Sequence, residues 1–317
     1  NDVANWSTLV PNGVGSFANF LGKIDAPRTI SLDAPVTAGF VTFQNANSYT
    51  INGPSTLTLQ VASGEGFVSM ASGSHSILAP INIVSPMKIL GPGTLTTGNI
   101  TNNSTLTVQT GMISGAISGS GRTVVSPGRT LTASGIRQNV LDISGTVSIA
   151  NGRSTAKTSM VGTLTLGASG RLNLGDNDLI VNYTGATQLG TIRSQIISGY
   201  ANGAWNGLGI SSSAAAGTSS PRMALGYADA SSLSIGTFSG QSLDGTAVIV
   251  RYTAAGDANL DGMVDSLDFT RFTGGYGLVS GGSWINGDFD YNGKVNTLDF
   301  NLLAGSFGTA IPSPTLG

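Results

Sequence analysis

The sequence predicts a mainly β chain in which a parallel β-helix body is followed by a small helical module built on two metal-binding loops. Three observations predict this. Short alternations of β-branched residues and leucine, broken by Gly, Asn or Ser, recur from about residue 28 to 184. An acidic twelve-residue motif near the C-terminus occurs twice, 31 residues apart. Only 9 % of residues are charged whereas 46 are glycine, so the surface is coated with small hydroxyls and amides in place of ions.

The body is read from its repeats. Thr56-Leu-Thr-Leu-Gln60, Thr94-Leu-Thr-Thr97, Thr105-Leu-Thr-Val-Gln109, Thr130-Leu-Thr-Ala133, Thr163-Leu-Thr-Leu166 and Arg171-Leu-Asn-Leu174 place aliphatic residues on one face of a strand and Thr or Asn on the other. Gly53-Pro-Ser-Thr-Leu57 and Gly91-Pro-Gly-Thr-Leu95 lie 38 residues apart, which fits two coils of about 19 residues. Roughly eight such coils, stacked about 4.8 Å apart, are expected over residues 28–184. A Greek-key β-sandwich also yields many short strands and is the alternative for this body. Residues 1–27, with Trp6, Phe17, Phe20 and Leu21, are expected to cap one open end of the coil. Residues 185–255 break the rhythm and read as an irregular α+β connector. Within it Ile192, Ile196, Ile197 and Tyr200 fall at helical spacing over residues 191–200, and residues 246–253 form a final strand. A loop-and-helix module at 256–308 and a proline-rich tail at 309–317 complete the chain.

The two acidic motifs are Asp257-Ala-Asn-Leu-Asp-Gly-Met-Val-Asp-Ser-Leu-Asp268 and Asp288-Phe-Asp-Tyr-Asn-Gly-Lys-Val-Asn-Thr-Leu-Asp299. Oxygen-bearing side chains fall at loop positions 1, 3, 5, 9 and 12: Asp257, Asn259, Asp261, Asp265 and Asp268 in the first copy, Asp288, Asp290, Asn292, Asn296 and Asp299 in the second. Position 6 is Gly262 or Gly293, where the loop needs a sharp turn, and position 7, Met263 or Lys294, offers its carbonyl. Seven of the chain's sixteen acidic residues sit in these loops, a crowding that is repulsive unless a cation lies between them. Two Ca2+ ions are therefore the expected cofactors. The first loop has four carboxylates against three and is expected to bind more tightly. Each loop is followed by one short helix, and Leu267, Phe272, Leu298, Leu303 and Phe307 are expected to pack between the two helices once calcium orders them.

This paired unit resembles the dockerin type I repeat over about residues 256–308, in which each loop lacks an entering helix and ends in Asp at position 12, as Asp268 and Asp299 do. The resemblance implies a cohesin-like partner read by positions 10 and 11, here Ser266-Leu267 and Thr297-Leu298, with leucine where a second hydroxyl is common. Asn5-Trp6, Asn45-Ala-Asn-Ser-Tyr-Thr50, Asp178-Leu-Ile-Val-Asn-Tyr183, Thr191-Ile-Arg-Ser194 and Ala204-Trp-Asn-Gly207 are similar to secreted bacterial proteins built from autotransporter-associated β-strand repeats, which implies a β-helical protein outside the cell or on its surface. The last residues, from Ile311, resemble the opening of a PEP-type bacterial sorting signal, with Ser313 in place of Glu.

Composition excludes several classes. Net charge is −2 and no basic patch suggests nucleic acid. Cysteine is absent, so there are no disulfides or thiolates, and with His75 as the only histidine there is no Cys/His zinc set. No apolar stretch reaches membrane-spanning length. Catalytic candidates are sparse. Asp176 and Asp178 read as a turn before a strand, His75 as a surface or hydrogen-bonded turn residue, and Trp6, Trp205 and Trp284 as buried anchors more readily than sugar platforms. The expected function is thus that of a non-enzymatic, calcium-stabilised structural protein, extracellular or on the cell surface, self-associating into a homopolymer or filament, the alternative being a docking or adhesion module for a cohesin-like protein or a polysaccharide.

Overall fold

A computed structural model describes residues 10–312 and residue 314. The chain is mainly β, with 40 % strand and 15 % helix, and contains a parallel β-solenoid of about eight turns. The parallel ladders exclude the sandwich alternative, whose sheets are antiparallel. Trp6 and residues 313 and 315–317 of the proline-rich tail fall outside the described residues. Two compact units are present, residues 10–148 with 164–170 and residues 149–163 with 171–312.

In the first unit three ladders of short parallel strands run side by side. One begins with Phe17–Phe20 and continues through Phe40–Gln44, Gly66–Ser72, Met87–Leu90, Thr105–Val108 and Arg122–Val125. Phe17 and Phe20 thus lie in the first solenoid strand and not in a separate cap. The second ladder runs through Arg28–Ser31, Tyr49–Asn52, His75–Ile77 and Thr94–Thr97, and the third through Val36–Ala38, Leu57–Leu59, Ile81–Ile83 and Ile100–Asn102.

Because the strands are parallel and in register, each inward position stacks on its counterpart in the next turn. Val41, Val68, Ile89, Val108, Val125 and Ile143 form one such column, and Leu57, Ile81, Ile100, Ile117 and Ile136 another, every member buried. The period-two alternation read from the sequence is this inward and outward alternation. Outward columns carry hydroxyls, as in Thr29, Thr50, Ser76 and Thr96. Turn lengths vary, since Phe40 pairs with Phe67, Phe67 with Lys88 and Lys88 with Thr107. His75 is a buried strand residue, not a surface turn. Its ring stacks on Phe43 at 4.5 Å, Nδ1 accepts the Tyr49 N–H at 3.0 Å, and Nε2 lies 2.8 Å from the Ser72 carbonyl.

The second unit holds the parallel strands Arg171–Asn173, Leu179–Asn182 and Gly209–Ser211 and then changes direction. Strand Ala247–Ala254 runs antiparallel to Leu179–Asn182 on one side and to Met223–Asp229 on the other. Both long strands are buried almost throughout, which is why they read as continuous apolar runs. Helix α1 (Leu189–Tyr200) begins two residues before the predicted segment and buries Ile192 and Ile196. A four-residue helix α2 (Ala230–Leu233) follows the Met223–Asp229 strand. Two ten-residue helices, α3 (Ser266–Gly275) and α4 (Thr297–Ser306), each follow one acidic motif. No helix among the described residues is long and apolar enough to cross a membrane.

Deleting a side chain from an inward column leaves a cavity flanked by the turns on either side. Leu106→Ala is expected to lower unfolding free energy by about 2–5 kcal/mol, and Thr107→Ala, one position along on the outer face, by less than about 1 kcal/mol. Urea titration of the two variants measures both.

Candidate metal centre

The two acidic motifs fold into two similar loops, and the backbone hydrogen bonds show how. At position 1, the carboxylate of Asp257 accepts the N–H of Asp261 at 3.1 Å and of Gly262 at 3.0 Å, together with the Thr253 hydroxyl. Asp288 accepts the N–H of Gly293 at 3.0 Å. The chain must fold back sharply at position 6 to point its N–H at position 1. Gly262 and Gly293 do so with φ of 94° and 81°, a region that disfavours a Cβ.

Position 12 closes the loop. Asp268 takes the N–H of Asn259 on Oδ1 at 3.0 Å and that of Asp265 on Oδ2 at 2.9 Å. Asp299 likewise takes the N–H of Phe289 and Asn296 at 2.9 and 3.0 Å. Position 9 caps the helix that follows, Asp265 accepting from Leu267 N–H and Asn296 from Leu298 N–H, both at 2.8 Å. Together these form a capping box at the start of α3 and another at α4, with Asp standing where Glu or Gln is usual. Positions 3 and 5 complete each loop at its exposed rim. Asn259 donates to Asp261 at 2.8 Å and Asn292 to Asp290 at 2.7 Å, while the amides of Met263 and Lys294 donate to the position-5 side chains at 2.8 Å.

Asp257, Asp268, Asp288 and Asp299 are all fully buried. In the second loop, carboxylate oxygens of Asp288, Asp290 and Asp299 lie within 4.8 Å of one another, close enough to share one metal ion. The first loop has Asn259 at position 3, so only two of the three corresponding side chains carry charge. Burial pushes the Asp257 carboxyl up to about 7 and Asp288 up to about 6, with neighbouring carboxylates adding to the rise, and it raises Asp268 and Asp299 too. Oδ1 of Asp288 is buried without a hydrogen-bond partner. A buried acceptor left free among like charges fits a hard divalent cation, which takes oxygen ligands and removes the repulsion.

Two arginines from outside the loops lie beside them. Arg193 of α1 donates to Asp288 Oδ2 at 3.3 Å and to the Gly282 carbonyl at 3.1 Å. Arg251 is buried, its Nε and Nη2 have no hydrogen-bond partner, its guanidinium lies 5.8 Å from the Phe238 ring centre, and burial lowers its pKa. Neither was read from the sequence. Arg193 is 95 residues from the carboxylate it meets, and no local spacing reports such a contact.

Other candidates resolve into structure. Asp178 is buried and paired with Arg153 at 2.7 Å, and Asp176 accepts the N–H of Gly152 at 3.0 Å. Trp205 and Trp284 are buried. Of the five apolar residues expected to pack between α3 and α4, Phe272 and Leu303 are buried, whereas Leu267, Leu298 and Phe307 are exposed. Leu267 and Leu298 sit in the first turn of their helices, immediately before the buried Asp268 and Asp299, so the inward direction there belongs to the carboxylate. No family model matches the chain, and no curated protein or solved structure matches it.

The raised carboxyls fix a sign for pH dependence. Asp titrates near 3.8 when free, so between about 4 and 7 the unfolded chain has released protons that metal-free Asp257 and Asp288 still hold. Folded-state stability in excess chelator is therefore expected to fall as pH rises through that window. A bound divalent cation takes the deprotonated form, so at saturating cation the folded and unfolded chains hold the same protons over this window and the fall is expected to vanish. Chemical denaturation across the window, with and without calcium, measures both slopes.

Proposed function

We propose that the chain is a calcium-stabilised structural protein of the cell exterior that associates with copies of itself through the paired helices α3 and α4. The observation that carries this is the repeated exposure of apolar side chains on those helices and at the residue that ends each. Leu267 and Leu298 are 61 % and 59 % exposed, Phe269 and Phe300 42 % and 41 %, Tyr276 and Phe307 54 % and 57 %. Sixteen large apolar side chains are exposed among the described residues, and nine of them lie between Met263 and Phe307, so the exposure is concentrated and not scattered. The two triads occupy equivalent positions of the repeated motif, 31 residues apart. The same surface on a second copy is a natural partner for it, as in an isologous contact.

Calcium is the cation this reading assigns, because the twelve-residue spacing, the all-oxygen donor set and the glycine at position 6 suit it, as the likeness to dockerin type I repeats also implies. Asp257, Asn259, Asp261, Asp265 and Asp268 with the Met263 carbonyl would hold one ion; Asp288, Asp290, Asn292, Asn296 and Asp299 with the Lys294 carbonyl would hold the other. Loops of this kind fill where calcium is millimolar, which supports a location outside the cell. A second reading has the same face taken by a cohesin-like protein. It is favoured by the exposure of Ser266 and Thr297 beside the two leucines.

Size-exclusion chromatography with light scattering distinguishes the two. In millimolar calcium the purified chain is expected to form regular assemblies that dissociate in excess chelator. Leu267→Asp combined with Leu298→Asp is expected to yield monomers that still bind calcium. A wild-type monomer in both conditions would remove self-association and leave docking as the function.

A further inference from the structure

The fourth residue of each acidic loop contributes no ligand, yet both are held in an unfavourable backbone conformation. Leu260 has φ of 59° and Tyr291 of 62°, the left-handed region that large side chains avoid. Both side chains turn inward, 3 % and 4 % exposed, and they meet adjacent residues of the Met223–Asp229 strand. The Tyr291 hydroxyl donates to the Leu225 carbonyl at 3.0 Å and accepts the Leu225 N–H at 3.1 Å. Leu260 covers Gly226. A Cβ on Gly226 would stand 2.3 Å from Leu260 Cδ2 and 2.6 Å from Trp284 Nε1, so this position in a buried strand has to be glycine for the loops to lie on it.

The grip is reinforced between the loops. Trp284 packs on Tyr291 with ring centres 5.6 Å apart, and its Nε1–H donates to the Asp257 carbonyl at 2.6 Å, tying position 1 of the first loop to the approach of the second. Arg193 donates to Asp288 at position 1 and through Nε to the Tyr227 hydroxyl at 3.0 Å, so one side chain joins a ligand residue to the gripped strand. That strand pairs with Ala247–Ala254, which in turn covers the edge of the parallel strand Leu179–Asn182.

We propose that the two calcium loops are a clamp on the antiparallel strand pair that closes this unit's parallel sheet, with Leu260 and Tyr291 as its jaws. The clamp rests on the calcium reading above. Filling the loops neutralises the carboxylates at positions 1 and 12 and fixes the turn from which position 4 projects. Emptying them removes the cation that draws positions 1 and 12 of each loop together, so the strained position-4 residues lose their hold on Leu225 and Gly226. The strands they secure then open more often, uncovering an unpaired parallel edge.

Hydrogen exchange on the full-length chain tests this, with calcium stoichiometry measured by calorimetry on the same samples. Chelation is expected to speed amide exchange about tenfold or more in segments 223–229 and 247–254, in addition to the loops themselves. Tyr291→Phe keeps every ligand, and it is expected to lower calcium affinity about tenfold, because coupling between grip and metal acts equally in both directions. It is also expected to shrink the calcium-dependent protection of 223–229. Two bound calcium ions with exchange in 223–229 indifferent to chelation would overturn the clamp and leave the calcium reading standing. A wild-type chain that binds no calcium would remove the calcium reading and the clamp with it. Should Tyr291→Phe fail to fold, the wild-type exchange comparison decides alone.

Discussion

Four carboxylates without solvent contact, in a chain where charge is scarce, set the arrangement of everything near them. Water solvates an aspartate generously, and a buried one must recover that solvation from the protein or from a cation. Asp257, Asp268, Asp288 and Asp299 gather backbone N–H groups from their own loops. Doing so dictates the turn at position 6, the cap at position 9 and the residue where each helix starts. The direction of α3 and α4, and hence which of their side chains reach solvent, follows from where the carboxylates need donors and not from helix packing.

This order of causes explains what could be read in the sequence. The loops were legible because coordination chemistry imposes a rigid spacing of oxygen atoms that few other requirements reproduce. The body was legible because in-register parallel stacking demands an aliphatic residue at every second position, as in Leu106 and Val108 or Leu57 and Leu59. Its turn lengths were not, since the connections between strands tolerate insertion and leave no periodic trace. Leu267, Leu298 and Phe307 looked like core because apolar residues flanking a helix usually are. The buried Asp beside each leucine reverses that, and only the three-dimensional course of the loop reveals it.

Gly226, Arg193 and the paired residues at loop position 4 form a class that local patterns cannot expose. Each matters through a neighbour distant in sequence: Tyr291 meets Leu225 across 66 residues. One clue was present, since Leu260 and Tyr291 are both large at the same loop position, one that supplies no ligand. Equivalent bulk at a position that binds no metal marks a face that rests on something.

Stacking in register also shapes how the first unit can form. Every inward column joins residues one turn apart, such as Val68 to Ile89 and Ile89 to Val108. A parallel sheet ordinarily has to close long loops before any strand pairs, and that slows it. Here each completed turn offers a finished template to the next, so the sheet can grow by accretion from whichever turn forms first. A defect in one turn halts growth there and leaves the turns already laid down intact.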